Sequence, residues 1–401
     1  MSHQLSSVTG TILTRASGIS GLVDLTQHEI EGLKTRHNLA DAHTHQLQSP
    51  TQRQIIADLP ELWYESEQLL QVDREEKFLD AFFRLHGQPT ARALGETMLS
   101  YSASVSTMVA AMYCAQRKLS IGLVEPCFDN LVDLLKHMGT PLVALPEEFL
   151  WDRSMIVERL AHVDADVLYL VDPNNPTGFS LLKDGRLGFE EVVRYCSDHR
   201  KLLIIDFCFA SFALCDPRHD RFDVYELLES SGVSYMAIED TGKTWPVQDA
   251  KCAMLTVSED LREAVYNIHT AVLLNVSPFV LNVLSRYIED SIADGFASVR
   301  DVISVNRASV RLAVSGTMLE LIDPVVDTSV AWCHINDPEV DAQTLQQRLL
   351  THEVYVLPGT YFYWDNPARG SHYIRLALAR QPREFRAAMT AMREVLISNE
   401  N

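Results

Sequence analysis

Hydrophobic residues along this chain gather into short, almost unbroken runs at 121–124, 142–145, 167–171, 202–206, 235–238 and 253–257. Runs of that length without polar interruption predict strands buried on both faces. Between several of them the apolar positions shift to a helical spacing, as at 128–137 and 189–199, and 105–115 reads as an apolar helix. Strand and helix in alternation predict an α/β architecture with a mostly parallel central sheet covered on both sides.

After about residue 300 the rhythm changes to helices with short strands at 330–335, 354–357 and 373–379. A last helix is expected from Pro382, a residue suited to a first helical turn, with Phe385, Met389, Met392 and Leu396 on one stripe. The first 60 residues are more polar and read as helix and loop carrying Thr26, Glu29, His43 and His45. The expected division is an arm or lid at 1–65, a large α/β domain at 66–295 and a smaller α+β domain at 296–401. A length of 401 residues agrees with that count at roughly 150 residues per domain.

Composition narrows the class. The chain is 47% hydrophobic and 22% charged, the balance of an ordinary globular protein. It carries 34 Lys and Arg against 54 Asp and Glu, a net charge of −20 that repels phosphate backbones and anionic lipid at long range. Nucleic-acid binding is therefore not expected, and a cationic small ligand is welcome. The 7 cysteines include no C-x-x-C pair, so neither a disulfide framework nor a zinc site is expected. Residues 1–21 lack the continuous apolar core of a secretory signal, and no apolar run reaches the ~20 residues of a spanning helix. A soluble, cytoplasmic protein without a bound metal is the expectation.

The densest local signal is Asp172-Pro173-Asn174-Asn175-Pro176-Thr177-Gly178, directly after the run at 167–171. Open α/β sheets bind ligands at the carboxyl ends of their strands, where these turn residues fall, although a plain Asn-Pro turn would use the same letters. Asp206 ends the next run and should face the same edge. Glu239-Asp240-Thr241-Gly242-Lys243 follows another. A lone lysine in a cleft is ordinarily just solvated. Here Lys243 lies 37 residues beyond Asp206 and 68 beyond Asn175 (206 to 243 and 175 to 243).

That order, Asn175-Pro176-Thr177-Gly178, then Asp206, then Lys243, resembles the aspartate-aminotransferase-type pyridoxal phosphate enzymes of fold type I over most of the chain. The resemblance implies pyridoxal 5'-phosphate as cofactor and a role for each residue. Lys243 would hold the cofactor covalently and then act as the base at the substrate Cα, a task for an amine desolvated enough to be neutral part of the time. Asp206 would pair with the protonated pyridine nitrogen, Asn175 would bond the phenolic oxygen, and Phe128 would stack on the ring. Ser102, Ala103 and Ser104, opening the helix at 105–115, would cradle the phosphate with hydroxyls and backbone N–H groups. Lys251 stands where family members usually carry an arginine against the phosphate, and a lysine offers no bidentate fork. Arg375 matches the arginine that clamps the substrate α-carboxylate. Homodimers are typical of such proteins.

A second departure bears on the substrate. Common aminotransferases have a hydroxyl residue three positions before the lysine, whereas this chain has Asp240. A carboxylate there suits a substrate cation such as guanidinium, with Glu239 as the alternative bearer of that role. At finer grain Leu25-Thr26-Gln27-His28-Glu29, Ala40-Asp41-Ala42-His43, Leu62-Trp63-Tyr64-Glu65-Ser66-Glu67, Phe128-Asp129-Asn130 and 239–246 resemble the dioxygen-using pyridoxal phosphate L-arginine oxidases and hydroxylases of bacterial natural-product pathways. In that subgroup an N-terminal helix closes over the substrate, so Thr26 and Glu29 would hold the guanidinium with Asp240. Without the resemblance, the same pair reads as a helix capping box. The implied substrates are L-arginine and dioxygen, the products 4-hydroxy-2-ketoarginine or 2-ketoarginine with ammonia and hydrogen peroxide, and no flavin or metal is required. His43 is the candidate base for adding water at Cγ, since imidazole accepts protons near neutral pH. A conventional aminotransferase acting on a basic amino acid would share every cofactor residue, and a cofactor-binding protein without turnover is a third reading.

Overall fold

The computed structural model describes residues 25–182, 187–217 and 222–397. The sequence features placed in 1–24, including the start of the expected arm and the stretch tested for a secretory signal, lie outside the described residues.

Seven strands form the central sheet in the order Met98–Ser100, Ala253–Val257, Tyr235–Asp240, Leu202–Asp206, Val167–Val171, Ile121–Glu125 and Leu142–Pro146. All run parallel except Ala253–Val257, which is antiparallel to both neighbours. Alternate side chains feed two apolar layers. Leu168, Leu170, Leu203, Ile205 and Ala237 pack on one face with Phe189 and Val192, while Tyr169, Ile204, Met236 and Ile238 pack on the other with Val109 and Ala110. Burial on both faces is why these strands read as continuous apolar runs.

A second sheet of four antiparallel strands has the order Leu357–Pro358, Tyr373–Ala377, Val330–Ile335 and Leu319–Leu321. The strand expected at 354–357 is split. Val354–Tyr355 pairs in parallel with His37–Asn38 from the N-terminal segment, and Leu357–Pro358 turns to pair with Tyr373–Ala377. The terminal helix, Pro382–Ile397, begins at its proline as the sequence predicts. Among the described residues no helix is long and apolar enough to cross a membrane.

The N-terminal segment is fastened across both sheets. Helix Leu25–Gly32 leans on the strand Val354–Tyr355 and the turn that follows it through His28, which hydrogen-bonds the Tyr355 hydroxyl at 2.6 Å and packs on the Tyr361 ring. Buried Arg380 then donates to the carbonyls of Asn38, Asp41 and His43. Thr44 and Gln48 donate in turn to the carbonyls of Trp245 and Pro246, just beyond Lys243.

The loop after Val167–Val171 is equally constrained. Asn174 donates to the carbonyl of Pro126 and to Glu147, and its own main-chain carbonyl accepts Gly178 N–H at 2.8 Å. Gly178 has φ +70°, and a Cβ there would stand 2.5 Å from Pro324 Cβ and 2.9 Å from the Val326 carbonyl oxygen. Replacing Gly178 by Ala should therefore cost about 2 kcal/mol or more of stability, from left-handed strain plus the clash. Urea denaturation checks this, and an unchanged midpoint would mean the loop relaxes freely.

Candidate active site

Four parallel strands end at one edge of the large sheet, and the residues just past their ends line a single cavity of about 230 Å³. Phe128 follows Ile121–Glu125, Asn175 follows Val167–Val171, Asp206 ends its own strand, and Lys243 lies three residues past Asp240. Ser102, Ala103 and Ser104 reach the same cavity from the start of helix Ala103–Arg117, and Lys251 from the loop before Ala253–Val257. Thr26, Glu29 and His43 close it from the N-terminal segment. Arg375 is not part of the lining.

Lys243 projects into this space with no hydrogen bond or ion pair of its own among the described residues. Asp206 lies deep in the molecule with its carboxylate meeting the cavity. Burial pushes its carboxyl up and the Asp240 charge adds to this, opposed by hydrogen bonds from Cys208 and by the charge of Lys243. Its Oδ1 accepts Cys208 N–H at 2.9 Å. The Cys208 thiol is itself held well above its usual range by burial and by the carboxylates of Asp206 and Asp240, so it remains a protonated donor.

Asp240 turns toward the helix start. Its Oδ2 accepts Ala103 N–H at 2.9 Å, and Oδ1 accepts Gly242 N–H. A carboxylate is welcome at a helix N-terminus, where orphan N–H groups and the dipole favour negative charge. The neighbouring Glu239 points to the opposite face of its strand, where it accepts the Tyr225 hydroxyl at 2.8 Å, and burial raises its carboxyl to about 7. Strand alternation thus puts Asp240, and not Glu239, on the cavity.

On the substrate side Arg375 is wholly buried. It donates to Asn175 Oδ1 at 3.3 Å, to Glu29 Oε1 at 3.2 Å and to the Ala40 carbonyl, with its guanidinium 5.4 Å from the Phe362 ring centroid. Glu29 thus pairs with the protein's own guanidinium. Thr26 is linked to the phosphate-side helix through Asn130, which donates to Thr26 Oγ1 and accepts from Ser104 Oγ, each at 3.4 Å.

His43 belongs to a three-residue cluster. Asp41, almost fully buried, is hydrogen-bonded by His43 Nδ1 through Oδ1 and by His45 Nε2 through Oδ2. Burial alone would raise Asp41, but the two imidazoles and the His43 N–H outweigh it and hold the carboxyl far below the usual range. An ionised Asp41 accepts only, so His43 donates from Nδ1, and its Nε2 lies 3.4 Å from Lys251 Nζ and 3.6 Å from Asp249 Oδ1.

A model of the aminotransferase class I and II family matches residues 70–392. The chain belongs to that family. Among solved structures it is similar to MppP soaked with its product 2-ketoarginine, at 31% identity and TM-score 0.80, over 89% of this chain and 99% of that one. The aspartate aminotransferase of Thermus thermophilus with maleate shares the fold at 13% identity and TM-score 0.74, over 95% and 99%. LysN, the α-aminoadipate aminotransferase of the same organism, does so at 14% identity and TM-score 0.72, over 96% and 97%. No curated protein sequence matches the chain.

The cofactor of this aminotransferase-family protein is pyridoxal 5'-phosphate, and the residues fit it. A buried carboxylate whose donors are the N–H and thiol of Cys208 keeps acceptor capacity toward the cavity, as a pyridinium nitrogen requires. Ser102, Ser104 and Lys251 are the donors in the lining that would meet the cofactor's phosphate, while Asp240 already occupies the Ala103 N–H. A Cβ at Gly242 would meet Lys251 Cδ at 2.7 Å, so a larger residue there would have to push the Lys251 side chain aside.

Sequence reasoning missed Asp41 as a partner of His43, and also Thr107, Asn130, Cys208 and Phe209 in the lining. The spacing Asp41-x-His43-x-His45 was the available signal for the first, and adjacency to Asp206 for Cys208 and Phe209. Replacing Lys243 by Ala should abolish both the visible absorbance of the covalently held cofactor and turnover. A variant with normal spectrum and rate would remove Lys243 from the chemistry.

Proposed function

We propose that this protein oxidises L-arginine with dioxygen, giving 2-ketoarginine or 4-hydroxy-2-ketoarginine, ammonia and hydrogen peroxide. The observation that carries the reading is a cavity in which Lys243 shares its walls with two carboxylates besides Asp206, namely Asp240 and Glu29, the latter brought over the site by the N-terminal helix. Such a lining suits a substrate with a distal cation. The similarity to MppP, whose structure was obtained with 2-ketoarginine, supports the same substrate class. When bound, pyridoxal phosphate supplies the electron sink that makes the substrate Cα acidic and oxidisable.

The residues divide the remaining work. Lys243 takes the Cα proton, and Asp206 fixes the charge state of the cofactor ring. Asn175 and Arg375 orient the substrate carboxylate, and Thr26, Glu29 and Asp240 receive the guanidinium. One equivalent of dioxygen is reduced to peroxide for each keto acid formed, and hydroxylation at Cγ consumes a second. His43, oriented by Asp41, takes a proton from water adding at Cγ. The segment 38–48 excludes bulk water, and where exclusion fails early hydrolysis gives the simple keto acid. We propose that it works as a homodimer, an assembly supported by exposed apolar side chains at Tyr64, Leu70 and Leu274.

Purified holoenzyme given L-arginine in air, without any keto acid, should consume dioxygen and release peroxide. A protein idle until a keto acid is added is instead a conventional aminotransferase. Replacing His43 by Ala should move the product from the hydroxylated to the simple keto acid, read by mass, and an unaltered ratio would clear His43 of that role. Exchanging Asp41 for Asn should shift the ratio the same way but less far, because the imidazole stays while its tautomer is no longer fixed.

A further inference from the structure

The ion pair between Glu29 and Arg375 has a consequence for which substrates the site accepts. Arg375 has no exposed surface and Glu29 is nearly as buried, with 11% of its side chain accessible. Glu29 lines the cavity and Arg375 does not. Glu29, Asn175 and the Ala40 carbonyl cover the guanidinium, and the Phe362 ring lies beneath it. A ligand carboxylate approaching from the cavity therefore meets Glu29 first and has to displace it. A displaced Glu29 remains a buried carboxylate without its cation, a state far costlier than an intact pair. That cost disappears only if the ligand carries a second, positive group within reach of the Glu29 side chain.

We propose that the Glu29–Arg375 pair is a charge-exchange gate that selects for amino acids charged at both ends: the ligand's α-carboxylate takes Arg375 and its distal cation takes Glu29. The inference rests on the proposed reading of a basic amino acid at this site. L-Arginine replaces one buried ion pair by two and strands no charge. A neutral amino acid of the same backbone takes Arg375 from Glu29 and offers Glu29 no cation, and a guanidine without a carboxylate draws Glu29 away from Arg375 and returns no anion. Glu29 is consequently a repulsive element against wrong ligands as well as an attractive one for the right ligand. The swing need not unseat the helix, because Thr26 is tied to Asn130 and His28 to Tyr355 independently of the pair.

The test is equilibrium binding to anaerobic holoenzyme, followed by the change in cofactor absorbance, with L-arginine, L-norvaline and agmatine as probes. In Glu29→Gln the carboxamide keeps the shape without the charge. L-Arginine should then bind about tenfold or more weaker and L-norvaline about tenfold tighter than to wild type, since no charge is stranded. A Glu29 that merely attracts guanidinium predicts the first change without the second, so an unchanged norvaline affinity overturns the gate. Agmatine should bind the wild type at least about tenfold more weakly than L-arginine, and parity would also sink it. Wild-type indifference to L-arginine would overturn the substrate reading, while a norvaline gain in Glu29→Gln would still support the exchange.

Discussion

A guanidinium with no accessible surface has to be paired, and the placement of Arg375 imposes that requirement on three distant parts of the chain. Its strand lies between Leu357 on one side and Trp332 on the other, so the backbone cannot yield. The partners come from residue 29 on the N-terminal helix, residue 40 in the following loop and residue 175 at the edge of the large sheet. Leaving such a cation unpaired would cost about 3–5 kcal/mol, comparable with a large share of a typical domain's stability. Closing the N-terminal segment over the cavity and satisfying Arg375 are thus one event.

The electrostatics of the site follow from that closure. Asp206, Asp240 and Glu29 face a cavity whose cations are Lys243 and Lys251, with Arg375 behind the wall. Each carboxylate has a different source of support: Asp206 the Cys208 donors, Asp240 a helix N-terminus, Glu29 a guanidinium. Those differences let three acids of similar intrinsic strength hold different positions within one small volume. The −20 net charge of the chain adds a long-range field that favours arrival of a basic metabolite.

Much of this was legible in the amino-acid order. The runs at 167–171, 202–206, 253–257 and 330–335 coincide with strands because nearly every position in them is buried and apolar, with Asp206, Thr256 and His334 the exceptions. Short stretches of sequence cannot show direction, so the antiparallel course of Ala253–Val257 stayed hidden, as did the short strands Met98–Ser100 and Leu319–Leu321. Residues such as Asn175, Asp206 and Lys243 announce themselves by following apolar runs. Pairings across hundreds of residues do not. Nothing local at Glu29 points to Arg375, and nothing at Asp240 points to the backbone of Ala103. These contacts depend on how separately legible pieces are brought together.

The loop at 38–48 is gripped through its main chain. Arg380 takes the carbonyl oxygens of Asn38, Asp41 and His43, and every amino acid carries that same oxygen. At those three positions the grip does not depend on the side chain, whereas Thr44 and Gln48 fasten the far end of the loop by theirs. The wall thus divides into a part whose path is set by backbone atoms and a part whose path is set by the identity of two residues.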